Sequence, residues 1–236
     1  MGNNKLSFQA ELSELYRTGK TIGRSGAVVN ATGLSTISNL TTIRELIIDK
    51  NPQSTLEIGM AYGGSALVIL STLQSIFGDN AQFHHTAIDP YQGQFDHAGV
   101  EIVKRAKLDQ NFKWVESSSE LALPKMVAEG IKYDFIYIDG SHLFEHVFVD
   151  MFYSLMLLNK GGIMLFDDSM DSHVAKVISF IKYNFNTYLK SIPLNSFRKN
   201  ISLHKMMANA FGYAQLKGFV KVADLPRPYN TPFVKF

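Results

Sequence analysis

Apolar and polar positions along this chain follow two different periods. From residue 54 onward, apolar runs of strand length are followed by stretches whose apolar residues recur at helical spacing. The strand-like runs are STLEIG (54–59), FHHTAID (83–89), FKWVE (112–116), YDFIYID (133–139) and GGIMLFDD (161–168). Helical spacing fills 65–77, 98–108, 119–129, 142–157 and 172–185, and further helices are expected at 5–17 and 37–50. Alternation of this kind predicts an α/β protein, a mostly parallel sheet with helices on both faces. The segment 17–36, RTGKTIGRSGAVVNATGLST, is rich in Gly, Ser and Thr and reads as a long, lid-like loop. Near the C-terminus, ISLHKMM (201–207) and NAFGYAQLKG (209–218) read as an antiparallel hairpin, and LPRPYNTPFVKF as an extended arm. No repeat or linker divides the chain, so it is expected to be one domain, with 1–36 as an N-terminal helix and loop and 37–236 as the body.

Composition narrows the classes. The 236 residues are 46% hydrophobic, enough to bury a substantial core. Lys and Arg total 23 against 21 Asp and Glu, a balance that points to neither a nucleic acid nor a membrane partner. There is no cysteine, which excludes disulfides, thiolate metal sites and thiol nucleophiles. No apolar h-region opens the chain, and no apolar run approaches the ~20 residues of a membrane span. The expected location is cytoplasmic.

In an open parallel sheet, ligands bind beyond the carboxyl ends of the strands. Every strand tip here is polar. The first carries Glu57, Gly59, Ala61, Gly63, Gly64 and Ser65; the second, Asp89; the third, Glu116 to Ser119; the fourth, Asp139, Ser141 and His142; the fifth, Asp167 and Asp168. EIGMAYGGS places glycines where backbone must pass close to a ligand before a helix begins. An acidic residue such as Asp89, ending the second strand, can accept hydrogen bonds from both ribose hydroxyls of a nucleoside cofactor.

LEIGMAYGGSALVIL, AIDPY, YDFIYIDGSH and LLNKGGIMLFDDS resemble, in order and spacing, the motifs of class I S-adenosylmethionine-dependent methyltransferases. The likeness runs over roughly residues 35 to 180. It is closer to the O-methyltransferase branch that holds catechol-type and macrolide- and aminocoumarin-sugar enzymes. It implies a Rossmann-like fold with a seven-stranded, mostly parallel sheet and a C-terminal antiparallel hairpin, and methyl transfer to a hydroxyl of a small molecule such as a sugar or other natural product. It also implies roles. The turn Gly59–Ala61–Gly63 would pack on the methionine part of the cofactor, and Ser65 would bind its carboxylate. Glu57 would buttress the loop or reach the amino group, Asp89 would hold the ribose, and Ser117 and Ser118 would lie along the adenine. Asp139, which also borders the cofactor, would join Asp167 and Asp168 as ligands of Mg²⁺. His142 falls three residues after Asp139, where catechol-type enzymes carry a lysine base. Some sugar-modifying relatives carry an acidic base two residues after that aspartate, where this chain has Ser141, so the proton falls to His142 or to the metal alone.

Chemistry supports such a site independently. An alcohol is a poor nucleophile at neutral pH, and a divalent ion lowers the pKa of a bound oxygen. Mg²⁺ takes hard oxygen ligands, and imidazole can accept a proton near neutral pH. Family members without a metal exist, and a nicotinamide-dependent oxidoreductase is a further alternative, although Ala61 breaks the G-x-G-x-x-G fingerprint. HLFEH (142–146) matches the inverted zinc-peptidase pattern H-x-x-E-H. The apolar stripe Leu143, Phe144, Val147, Phe148, Met151, Phe152 and Leu155 should instead pack on the sheet, leaving Glu145, His146 and Asp150 toward solvent. Oligomeric state is left open.

Overall fold

A computed structural model describes residues 3–78, 82–197 and 215–236, with side chains from Ala10. The backbone divides into two compact units, Met1–Ser118 and Ser119–Phe236.

The first unit runs α1 (Asn3–Thr18), β1 (Lys20–Ile22), β2 (Val28–Asn30), α2 (Ile37–Lys50), β3 (Ser54–Ile58), α3 (Gly64–Phe77), β4 (His84–Ile88), α4 (Ala98–Arg105) and β5 (Phe112–Val115). Strands β3, β4 and β5 pair in parallel, in the order β5-β4-β3. Every residue of β3 is buried, the polar Ser54, Thr55 and Glu57 included, as a strand flanked and covered on both faces requires. Helix α2 starts where the Thr36 hydroxyl accepts from the Asn39 N–H, and ends at Asn51, which takes the left-handed conformation at φ 49°.

The segment 17–36 is not a plain loop. Strands β1 and β2 pair antiparallel, Lys20 opposite Asn30. Each is three residues long, too short for a period-2 pattern to register. The hairpin tip is fastened to the 96–105 region of the same unit. Asp96 accepts from the Ser25 hydroxyl at 2.5 Å, which holds its carboxyl below the usual range. Arg105 donates to the Ile22 carbonyl and the Thr21 hydroxyl.

The second unit runs α5 (Ser119–Ala128), β6 (Tyr133–Ile138), α6 (Phe144–Leu157), β7 (Leu158–Phe166), α7 (Ser172–Asn184), β8 (Leu189–Ile192) and β9 (Lys217–Lys221). Its strand order is β6-β7-β9-β8, with β6 and β7 parallel and β9 antiparallel to both neighbours. β3 to β9 make the mostly parallel, seven-stranded set that the resemblance implies. The antiparallel pair at the C-terminal end is β8 with β9. The expected partner strand at 201–207 lies outside the described residues. Four-residue β8 carries no strand pattern of its own: LKSI has only two apolar residues, and its two central residues are exposed. The arm after β9 packs back on α7: Asn184 bonds both backbone groups of Val234, and Phe233 and Phe236 lie against Phe180.

Helix α6 corrects two expectations. It starts at Phe144, so His142 precedes the helix. Asp150, expected toward solvent, is 1% exposed. The stripe drawn for a helix covering a sheet leaves one face wet, but α6 also packs against α5 and α7. Asp150 therefore lies inside, and neither of its carboxylate oxygens has a hydrogen-bond partner among the described residues.

Candidate active site

The first unit builds a turn between β3 and α3 on a single carboxylate. Backbone reverses three times, with φ 83° at Gly59, 41° at Ala61 and 80° at Gly63. Asp89, at the tip of the adjacent strand and 3% exposed, gathers this turn. Its Oδ2 accepts from the N–H of Ala61 at 2.8 Å and of Met60 at 3.2 Å, and its Oδ1 from the Tyr91 N–H at 2.8 Å. Gln92, fully buried, donates to Asp89 Oδ2 at 3.0 Å and to the Ala61 carbonyl at 2.6 Å. No sequence signal marks Gln92, because its role depends on a close approach of two loops. Gly99 permits that approach: a Cβ there would lie 2.3 Å from the Ala61 carbonyl oxygen.

Gly63 caps α3 at its N-terminus without a side-chain hydrogen bond. An added Cβ would meet the Gly99 carbonyl oxygen and Ile102 Cγ2, each at 2.8 Å. Gly63→Ala combines left-handed strain with overpacking, so it is expected to cost about 2–4 kcal/mol, read as a lowered urea midpoint at unchanged slope.

Glu57 is fully buried rather than open at the strand tip. Its Oε2 lies 3.4 Å from His85 Nε2, and its Oε1 has no partner among the described residues. The other nitrogen of His85 meets the Thr55 hydroxyl at 2.9 Å. His85, near the start of β4, is thus the contact that holds Glu57. Ser65 is buried in the first turn of α3. Ser117 and Ser118 follow β5 and are half-buried, the Ser117 hydroxyl donating to the Ser118 carbonyl.

The second unit gathers Asp139, His142 and Asp168. Each offers one ligand atom, all within 4.8 Å of one another. Asp139 follows β6, and Asp167 and Asp168 follow β7; the Asp167 N–H donates to the Ile138 carbonyl, which extends the ladder to the tips. His142 Nε2 lies 3.1 Å from Asp168 Oδ2. Asp168 stands at φ 43°, a left-handed position that Asp tolerates better than most side chains. Asp168 Oδ1 accepts from Gln215 Nε2 at 2.8 Å.

Asp167 is placed differently from its neighbour. It is 4% exposed and turns inward to the Tyr137 hydroxyl. Its other oxygen accepts from the Asp168 N–H at 2.8 Å. The structure thus brings His142 to Asp139 and Asp168, while Asp167 lines the same cavity as Asp139 and His142 and meets Asp139 through the Tyr137 hydroxyl. Glu145 and His146 do not join this group. His146 Nδ1 lies 2.9 Å from the Ser141 hydroxyl, and Glu145 is exposed, so the peptidase pattern has no geometry behind it. The donor set suits a divalent ion: two carboxylates offer hard oxygen and an imidazole stands beside them.

A family described as a methyltransferase domain matches residues 56–169, just under half of the chain and the stretch that carries both strand-tip clusters. Residues 56–169 are thus similar to a methyltransferase domain. Over 121 residues it is 29% identical to a caffeoyl-CoA O-methyltransferase-like protein of Arabidopsis thaliana, a match to 51% of this chain. The chain spans 48% of that curated relative's length. Solved structures share the fold over nearly the whole chain. An O-methyltransferase from Bacillus cereus in complex with S-adenosylhomocysteine has a TM-score of 0.65 at 13% identity, covering 91% of each chain. An O-methyltransferase of tomaymycin synthesis from Streptomyces achromogenes, in complex with S-adenosylmethionine, has a TM-score of 0.65 at 13% identity, covering 92% of this chain and 90% of that one. The chain thus shares the Rossmann-like fold of these solved structures, as the motifs imply. No helix among the described residues is long and apolar enough to cross a membrane.

Proposed function

We propose that this protein transfers a methyl group from S-adenosylmethionine to a hydroxyl oxygen of a small molecule. The observation that carries the reading is the β3–α3 turn gathered on Asp89, within a chain whose matched family is a methyltransferase domain. The positive-φ turn leaves α3 with an uncapped N-terminus, where helix N–H groups and Ser65 can take the methionine carboxylate. Glu57 would buttress the turn or reach the amino group with Oε1, which has no partner among the described residues. Asp89 has lone pairs left on Oδ1 for a ribose hydroxyl, and Ser117 and Ser118 border the adenine.

The second unit takes the acceptor. Asp139 and Asp168 would hold a divalent ion such as Mg²⁺, which would lower the pKa of a bound hydroxyl. His142 receives the proton, its ring oriented by Asp168 at 3.1 Å. The hydroxyl oxygen forms the bond to the methyl carbon as the carbon–sulfur bond breaks, releasing S-adenosylhomocysteine. Catalysis is otherwise positioning: oxygen, carbon and sulfur in line, with oxygen about 3–3.5 Å from carbon. The His142–Asp168 pair also allows the step without an ion, and activity that survives EDTA would select that version.

The acceptor can be sought by incubating the protein with methyl-labelled cofactor and a panel of sugars, phenols and polyketides. Against the best acceptor, His142→Ala is expected to lower kcat by about 10²–10⁴-fold at neutral pH. Undiminished turnover would remove His142 from the proton step. Across a thermal-shift series, S-adenosylhomocysteine should raise the melting temperature and NADH should leave it unchanged; the reverse would favour an oxidoreductase.

A further inference from the structure

We propose that His85 is a positioning residue for the cofactor: it holds one oxygen of Glu57 so that the other stays directed to the ammonium group of the cofactor's methionine part. The inference rests on the reading of the β3–α3 turn as the S-adenosylmethionine site, and the residues it uses all lie in the first unit.

Strand register brings these residues together. Across the parallel pair β3–β4, Thr55 lies opposite His85 and Glu57 opposite Ala87. Alternate residues share a face, so Thr55, Glu57 and Gly59 stand beside His85, Ala87 and Asp89. Ala87 carries only a methyl group, which leaves room for the His85 ring to reach along the sheet to Glu57. Phe112, opposite His85 on β5, stacks on the ring at 26°, with 6.0 Å between centroids. One face thus runs from a histidine through a glutamate to the turn that Asp89 gathers.

Burial leaves Glu57 little choice of partner. Thr55, Glu57 and His85 are all 0% exposed. A carboxylate taken out of water is tolerated only when it is paired and hydrogen-bonded. Its Oε2 has His85 Nε2 at 3.4 Å, and its Oε1 has no partner among the described residues. At the other ring nitrogen, Nδ1 lies 2.9 Å from the Thr55 hydroxyl. A hydroxyl donating there leaves the ring's own proton on Nε2, facing the carboxylate. Oε1 lacks an N–H donor, and an ammonium group supplies one together with the opposite charge.

The test titrates the full chain by calorimetry with three ligands. They are S-adenosylhomocysteine, its analogue with hydrogen in place of the ammonium, and 5′-methylthioadenosine, which lacks the amino-acid part. The wild type should prefer S-adenosylhomocysteine to the deaminated analogue by at least about tenfold. In His85→Leu that preference should fall by about tenfold, through weaker S-adenosylhomocysteine binding alone, with the other two ligands within about twofold of wild type. His85→Gln, whose amide can donate from near the Nε2 position, should restore most of the preference. Thr55→Val removes only the hydroxyl behind the ring and should lower the preference by about 2–10-fold, which reads the same contacts if H85L does not fold. A wild-type preference in H85L, or in T55V where H85L is unfolded, would overturn the proposal. So would equal weakening of all three ligands, which would make His85 a support of the whole turn. A wild type that binds S-adenosylhomocysteine and its deaminated analogue alike would remove the ammonium contact and leave the cofactor reading in place. No binding of S-adenosylhomocysteine by the wild type would remove both.

Discussion

Replacing Asp89 by alanine is expected to abolish detectable binding of S-adenosylhomocysteine, a loss of at least ~100-fold, and to destabilise the protein by about 2–4 kcal/mol. The carboxylate collects the N–H groups of Met60, Ala61 and Tyr91 and the amide of Gln92. Hydrogen bonds to a charged acceptor contribute roughly 1.5–3 kcal/mol each, and buried donors left without an acceptor cost about 1–3 kcal/mol. Water admitted by the truncation recovers part of this, so the net loss is well below the sum. Among the described residues the turn's other fastenings are single hydrogen bonds, such as Gln92 to the Ala61 carbonyl and Gly59 to the Ile88 carbonyl, and three of its residues stand at positive φ. Without the carboxylate the N–H groups that should face the cofactor have no fixed direction. Asp89→Asn separates the two roles. Its amide oxygen can still accept from the turn, so stability should fall less than in D89A while cofactor affinity remains impaired. Urea unfolding and calorimetric titration of the two variants check both statements. Wild-type affinity in D89A would show that Asp89 does not organise the turn.

Asp150→Asn is expected to do the opposite for stability. Burial pushes the Asp150 carboxyl up to about 6, against partial relief from the nearby Ser119 hydroxyl and from His146, while Glu120 pushes further upward. The folded state therefore holds a proton that the unfolded chain, at 3.8, releases earlier. Folding is favoured at low pH, and that advantage is lost as pH rises from about 4 through 6. At pH 8 the wild type carries an ionised, buried carboxylate on α6 whose relief from Ser119 and His146 is only partial, with the Ser154 hydroxyl, also on α6, lacking a partner among the described residues. A shift of this size corresponds to about 3 kcal/mol. D150N should therefore be more stable than wild type by up to about 3 kcal/mol at pH 8, with the gap closing by pH 4. The neutral amide still needs partners, which sets the measured gain below that limit. A pH-independent difference, or a less stable D150N at pH 8, would contradict the burial argument.

The sequence shows which residues stand at the strand tips more clearly than it shows what they touch. Asp89, Asp139, Asp167 and Asp168 stand out because each follows an apolar run, and strand period and turn chemistry place them at the carboxyl ends of parallel strands. Their partners carry no such mark. Tyr137 reads as one more apolar strand residue, since nothing in YDFIYID shows that its hydroxyl meets two carboxylates. Gln215 reaches Asp168 from 47 residues away, by way of β9 pairing with β7. His85 looks like a strand-start residue until its register beside Thr55 brings its ring to Glu57. Short elements are lost for a related reason. β1, β2 and β8 have three or four residues each, held by their neighbours more than by a pattern of their own. Asp150 shows the converse. A clean amphipathic pattern sends it to solvent, and the packing of a third helix overrides that pattern.

Binding of the cofactor tests the central claim most directly. Calorimetry of the folded full chain with S-adenosylhomocysteine should give a saturable isotherm near one cofactor per chain, lost in Asp89→Ala. No heat and no saturation at millimolar S-adenosylhomocysteine, with circular dichroism showing a folded chain, would contradict the account.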